Sequence, residues 1–204
     1  FSHFQRAFMR YSDDQTADTA AARAAAERAV TLDPRDPFAN FTLGRSHWLD
    51  GDLAGSLGWL ERATTLSPSY AQGLYARGWT QTLAGDAAAG RASVDLAFAL
   101  SPLDPLAYAM LGTRALSHLA LGEYEEAARY GERAARAPGA HVLIAMIAAL
   151  CHGLAGQVGD AARWVRDVRE RRPDLDHADF LRAFPFTDPA LRRQIGEMLV
   201  RLGW

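Results

Sequence analysis

Proline and glycine return along this chain on a shared beat. Pro34, Pro68 and Pro102 stand 34 residues apart, and Pro138 and Pro173 extend the series at spacings of 36 and 35. Out of phase with them, Gly51, Gly85, Gly122 and Gly156 follow one another at 34, 37 and 34 residues. Each glycine precedes a small residue by five positions (Ser56, Gly90, Ala127, Ala161), and in three units an acid comes directly after it: Asp52, Asp86, Glu123. A glycine supplies the left-handed residue that turns a chain out of a helix. An acid favours the start of the next helix, and a proline cannot continue the hydrogen-bond ladder of that one. The beat therefore encodes helix, tight turn, helix and stop, and a chain of such units folds by stacking helical hairpins.

Small residues recur inside the units. The first helices carry Ala7, Gly44, Gly78, Ala115 and Ala149. The second helices carry Ala22, Ser56, Gly90, Ala127 and Ala161, followed seven residues later by Ala29, Ala63, Ala97, Ala134 and Val168. Such positions let two helix backbones approach closely while larger apolar residues fill the space around them. A 34-residue period with this pattern and a proline terminator resembles the tetratricopeptide repeat. The resemblance covers residues 1 to about 173 and implies an all-α, right-handed superhelix of about five hairpins (about 1–36, 37–70, 71–104, 105–139 and 140–173). The first unit has a polar connection, Ser12-Asp13-Asp14-Gln15, and the fourth carries about three extra residues between Pro105 and Gly122. Asn40, Leu74 and Leu111 stand where this family often opens the first helix with a bulky aromatic.

Residues 174–204 break the pattern and are expected to form a C-terminal helical cap over the open end of the stack. Asp188 suits an N-cap, Pro189 suits the first helical position, and Leu191, Ile195, Met198, Leu199 and Leu202 fall on one face. The segments Arg172-Pro173-Asp174-Leu175, Phe180-Leu181-Arg182, Pro185-Phe186-Thr187-Asp188-Pro189 and Leu202-Gly203 are similar to the C-terminal end of repeat regions in bacterial class III adenylate cyclases and winged-helix transcriptional regulators. That resemblance implies a regulatory or sensory region following an N-terminal effector domain. The chain begins at Phe1 rather than Met, which suggests a fragment or a processed product.

The charged residues exclude several chemistries. All 22 basic residues are Arg, against 24 acids, for a net charge of −2. This balance argues against nucleic-acid binding by bulk charge, and the lack of Lys removes Schiff-base and P-loop lysine chemistry. Cys151 is alone, so no intrachain disulfide exists and a reducing, cytoplasmic setting is expected. No apolar run reaches the ~18 residues of a membrane span. His47, His118 and His152 occupy one repeat position, with Gln81 in their place in the third unit. Equivalent residues in neighbouring repeats lie roughly 10 Å apart, too far to share a metal, so packing between paired helices is favoured. Cys151 and His152 are adjacent and do not face each other on a helix, while Asp13-Asp14 and Glu125-Glu126 read as solvated acids. Neither a Gly-rich phosphate loop nor HExxH nor GxSxG occurs. No enzyme activity, cofactor or metal is expected. The series Arg163, Arg166, Arg169, Arg171 and Arg172 is read as a solvated face, with Arg163–Asp167 and Arg166–Glu170 spaced for pairing.

By the family resemblance the first helices line a concave face that receives ligands. Mapped onto this chain, that face holds Phe4, Phe8 and Tyr11, then Phe38, Phe41, Arg45 and Trp48, then Gln72, Tyr75 and Trp79, and finally Leu116, Leu119, Met146 and Leu150. Aromatics beside Arg and Gln are the material of peptide-binding hot spots. Phe38, Phe41, Arg45, Trp48, Gln72, Tyr75 and Trp79 are therefore the candidate partner-binding set. An equally weighted alternative is that the rings only pack between adjacent first helices. The leading function is a non-catalytic protein- or peptide-binding module. The other classes are a self-association scaffold forming a homodimer through its aromatic surface, and a small-molecule sensor whose tight curvature encloses an aromatic cavity.

Overall fold

The structure is a computed structural model that describes residues 2–9 and 14–204. The described residues form twelve α-helices and no strand: α1 (Ser2–Met9), α2 (Gln15–Leu32), α3 (Pro37–Leu49), α4 (Leu53–Leu66), α5 (Ala71–Leu83), α6 (Ala87–Leu100), α7 (Ala107–Ala120), α8 (Tyr124–Arg136), α9 (Val142–Leu154), α10 (Val158–Arg171), α11 (His177–Ala183) and α12 (Pro189–Arg201). The fold is an all-helical solenoid, as expected. Helices α1 to α10 pair as successive hairpins. Phe1, Tyr11, Ser12 and Asp13 lie outside the described residues.

The glycine beat works as its spacing implied. Gly51, Gly85, Gly122 and Gly156 have φ of 75°, 99°, 76° and 72°, where a side chain would be strained. At each turn the amide after the glycine donates to a carbonyl five residues back: Asp52 to His47, Asp86 to Gln81, Glu123 to His118 and Gln157 to His152. The glycine amide itself donates to Trp48, Thr82, Leu119 or Gly153. This pair of bonds satisfies carbonyls that a helix end leaves open. Asp52 and Asp86 then cap the next helix by accepting from the amides of Gly55 and Ala89. The second helices α2, α4 and α6 stop at Leu32, Leu66 and Leu100, two residues before a proline. The extra length of the fourth unit is divided: α7 has 14 residues where α5 has 13, and the rest lies in the connection before it.

Of the fifteen small-residue positions, fourteen are buried and Ala29 is half-buried. The helix backbones come close in the third unit, where a Cβ on Gly78 would lie 2.6 Å from the Gly90 carbonyl oxygen. Helix α9 is the hub. Every residue from Val142 to His152 is buried.

The C-terminal helices, expected as a cap, reach back along the solenoid. The Thr187 amide donates to the Leu83 carbonyl at the end of α5 (2.9 Å), and Gln194 Nε2 donates to the Tyr124 hydroxyl beside the α7–α8 turn (2.8 Å). Farther on, Met198 and Leu202 close against Gly153 near the end of α9. Helix α12 thus runs back across the third, fourth and fifth hairpins as a strap. The physical reason is in its lead-in: Phe180, Phe184 and Phe186 are 0%, 0% and 4% exposed. Three phenylalanines need an apolar socket, and the solenoid offers one on its concave side.

The close approach gives a paired test. Gly78→Ala should destabilise the protein by about 1–3 kcal/mol through overpacking. Gly58→Ala, where a Cβ meets nothing within 4 Å, should be neutral or stabilising by about 0.5–1 kcal/mol. Urea denaturation of both variants reads the contrast.

Candidate functional site

The curvature of the solenoid brings its two ends together. Phe8 on α1 lies 5.2 Å from Trp48, 5.6 Å from His141 at the head of α9, and 6.5 Å from Phe184 in the lead-in to the strap, between ring centroids. Trp79 is 6.3 Å from Trp48 and 5.4 Å from Phe184, and Phe180 is 4.5 Å from Phe184. The concave face is therefore not an open channel. It is an aromatic interior completed by α1 from one side and by α11 from the other.

The structure places the seven candidate residues unequally. Phe41, Trp48, Tyr75 and Trp79 are buried, as are Leu116, Leu119, Met146 and Leu150 farther along the same face. Phe41 packs with Leu60, Ala63 and Ala76 between its own hairpin and the next. Trp48, Tyr75 and Trp79 join one cluster with Phe180, Phe184, Ile195 and Leu199. Arg45 is 7% exposed, beneath Phe4 and beside Trp48. Phe38 at 49% exposure and half-buried Gln72 are the two that reach solvent. Sequence reasoning missed Phe180, Phe184, Tyr108 and His141 as parts of this interior. The signal was present in the three phenylalanines of a segment whose outer face should have been polar.

Among the described residues, openings reach the interior from more than one side. One, of about 80 Å³, lies at the C-terminal ends of α1 and α3 and is lined by Phe8, Trp48, Leu49, Asp179 and Arg182 among others. A crevice of about 130 Å³ runs between α2 and α3, with Phe4, Ala22, Ala26, Phe38, Thr42 and Arg45 on its walls. Phe38, Thr42 and Arg45 share one face of α3, so the exposed ring and the buried cation open onto the same crevice.

The histidine positions have a structural task. His47 Nδ1 meets the Asp52 carboxylate at 2.8 Å, His118 Nδ1 meets Glu123 at 2.5 Å, and His152 Nδ1 meets Gln157 Oε1 at 2.6 Å. Each staples the last turn of a first helix to the residue opening its partner, and His118 also stacks on Tyr130 at 5.1 Å. Glu132 sits at a junction of α8, α9 and α10. Burial would raise its carboxyl, but hydrogen bonds from Trp164, Arg136 and His152 and the charge of Arg163 bring it down to about 2. The expected pairs Arg163–Asp167 and Arg166–Glu170 give way to others: Arg163 pairs with Asp160 and Glu132, and Arg171 with Asp167. Glu132 reaches across from the preceding hairpin and captures the guanidinium that i,i+4 spacing assigned to Asp167. Cys151 is fully buried, and burial pushes its thiol up.

The family model for the tetratricopeptide repeat matches residues 13–71 and 113–176. The chain belongs to the tetratricopeptide repeat family. Among solved structures it is similar to PilW, a type IV pilus biogenesis factor, with 22% identity over 98% of this chain and 90% of that one and a TM-score of 0.69. It is similar to a tetratricopeptide repeat protein of Thermus thermophilus, with 18% identity over 98% of both chains and a TM-score of 0.68. YrrB, a tetratricopeptide repeat protein with an unusual peptide-binding site, shares 16% identity over 87% of this chain and 90% of its own, with a TM-score of 0.56. No curated protein sequence matches the chain significantly. Tetratricopeptide proteins generally bind proteins or peptides, and no helix among the described residues is long and apolar enough to cross a membrane.

Two measurements test this tetratricopeptide interior. Trp79→Ala and Phe184→Ala should each cost about 3–5 kcal/mol, and their effects should be non-additive because the rings touch. His141, enclosed by Phe8 and Tyr108, has its pKa lowered to about 4 by burial and by the charge of Arg171. Its unfolded form binds a proton that the native form resists, so stability is lost as pH falls from about 6.5 toward 4, by up to ~1.4 kcal/mol per unit. His141→Gln should flatten that part of the pH–stability curve.

Proposed function

We propose that this chain is a non-catalytic module that binds a protein or peptide partner at the crevice between α2 and α3. In this reading Phe38 is the exposed anchor, Arg45 supplies charge from beneath, and Gln72 extends the contact along the rim. Phe41, Trp48, Tyr75 and Trp79 lie buried behind the crevice rather than on its walls, Trp48 and Tyr75 packing against Arg45 and Phe41 against Phe38. The observation that carries the reading is the pairing of a half-exposed aromatic with a buried cation on one crevice, since aromatic and Arg anchors concentrate binding energy. The C-terminal resemblance to cyclase and winged-helix regulator repeat regions supports a cytoplasmic regulatory role in a bacterial signalling protein. For a homodimer through the aromatic face, Phe38 is exposed while Phe41, Trp48, Tyr75 and Trp79 are buried.

The test begins with peptides selected against the full chain by display, followed by calorimetry. Phe38→Ala should weaken the selected peptide at least tenfold while leaving the melting temperature unchanged. Charge reversal at Arg163 or Arg166 should leave affinity unaltered. An affinity that follows the α10 arginines and ignores Phe38 would move the site to the convex side.

A further inference from the structure

Helix α12 carries more apolar surface than its packing on the solenoid uses. Ile195 and Leu199 are fully buried, whereas Val200, the next residue, is 55% exposed. On that outer side α11 and α12 wall a groove of about 680 Å³, larger than the openings to the aromatic interior. Leu181 of α11 and Pro189, Gly196 and Val200 of α12 make it apolar. The groove follows α12 from Pro189 to Arg201, its whole length, about 18 Å at 1.5 Å per residue.

The charges along the groove are one-sided. Its charged walls are Arg192, Arg193 and Arg201 against Glu197 alone. Arg192 donates to the Leu181 carbonyl at 3.0 Å and bridges the two helices. Neither Arg193 nor Arg201 forms an ion pair among the described residues. The other acids of this region are held elsewhere: Asp179 pairs with Arg182, and Asp176 and Asp188 cap the starts of α11 and α12. Gly196 adds a feature of shape. Glycine weakens a helix interior, and neither a positive φ nor crowding calls for it here, since a Cβ would meet only Leu181 Cδ1 at an ordinary 3.5 Å. What it leaves is a flat wall that a second helix backbone can approach closely. Two helices offer no sheet edge to pair the amides of an extended peptide, whereas a helix arrives with its own backbone satisfied. An apolar channel flanked by unpaired cations is complementary to a rod that is apolar on one side and acidic along its flanks.

We propose that the groove between α11 and α12 is a second docking surface, and that its occupant is an acidic amphipathic helix of a partner protein. Apolar side chains at i, i+3, i+4 and i+7 of that helix fill the channel over Leu181, Gly196 and Val200. Its flanking Glu and Asp residues face Arg193 and Arg201, and the length of α12 accommodates about three turns. The surface lies on the outer side of the strap and shares no residue with the α2–α3 crevice. The inference therefore stands apart from the peptide-binding reading.

The probe is a fluorescent peptide of Leu and Glu, about 14 residues long so that its helix spans the groove, with Leu at i, i+3, i+4 and i+7. Its anisotropy is followed on titration with the full chain. Controls are the same composition in scrambled order and the ordered counterpart with Lys in place of Glu. The ordered acidic peptide should bind saturably and at least tenfold more tightly than either control. Val200→Asp should weaken it at least tenfold, and so should Arg193→Glu combined with Arg201→Glu. All three side chains are exposed, so the melting temperature should not change. Leu103→Asp, at a side chain 94% exposed elsewhere, and Phe38→Ala should leave the affinity as it was. The proposal is overturned if the Lys peptide binds equally, if no peptide saturates, or if affinity follows Phe38 and ignores Val200. Sedimentation of the chain alone and flotation with phosphatidylglycerol vesicles complete the test. Self-association or vesicle binding that Val200→Asp abolishes would give the groove to a second copy or to a lipid surface, and would equally overturn it.

Discussion

In the second and third hairpins the two helices approach until one methyl group decides whether they fit. In the third unit a Cβ on Gly78 would come within 2.6 Å of the Gly90 carbonyl oxygen, and one on Gly90 would come within 2.2 Å of the Thr82 hydroxyl. The other hairpins place buried alanines at the matching positions, so successive hairpins repeat a similar close packing and its rotation accumulates. After five hairpins the accumulated turn carries Phe8 to within 5.6 Å of His141. What a wider superhelix would leave as a channel is here an interior, and the aromatic residues of the first helices become its contents. The strap formed by α11 and α12 follows from the same geometry, since an aromatic interior open on one side still exposes apolar surface and Phe180 and Phe184 cover it.

The parts of this account that were legible in the sequence are those set by local spacing. The turn glycines, the proline stops and the Asp188 cap each act within a few residues of their own position, and one unit predicts the next. The aromatic positions were legible as a face. Whether that face was open was not, because openness depends on the rotation summed over five units, which no single repeat encodes. The location of the strap was hidden for a related reason: the Thr187 amide bonds to Leu83, 104 residues away. The ion pairs of α10 failed on the same ground. An i,i+4 rule sees Asp167 beside Arg163 and cannot see Glu132 arriving from the preceding hairpin.

A filled concave face also changes where a partner can be met. Surface that remains available lies at the rim, where Phe38 stands half exposed above a cation held by rings. Several polar groups elsewhere are internally engaged, with histidines stapling turns and Glu132 joining α8, α9 and α10. Arg45 is engaged differently, by the rings of Phe4, Trp48 and Tyr75.

The central claim is that the concave face is a core completed by the C-terminal strap. One amide reports on it directly, that of Thr187, whose hydrogen bond to the Leu83 carbonyl joins the strap to α5. Residue-resolved hydrogen exchange under native conditions measures its protection. The account predicts that Thr187 exchanges with a protection factor close to that of Ile147 in the buried α9, since opening one would require opening the other. A Thr187 amide that exchanges orders of magnitude faster, as in a cap resting loosely on the end of the stack, would contradict it.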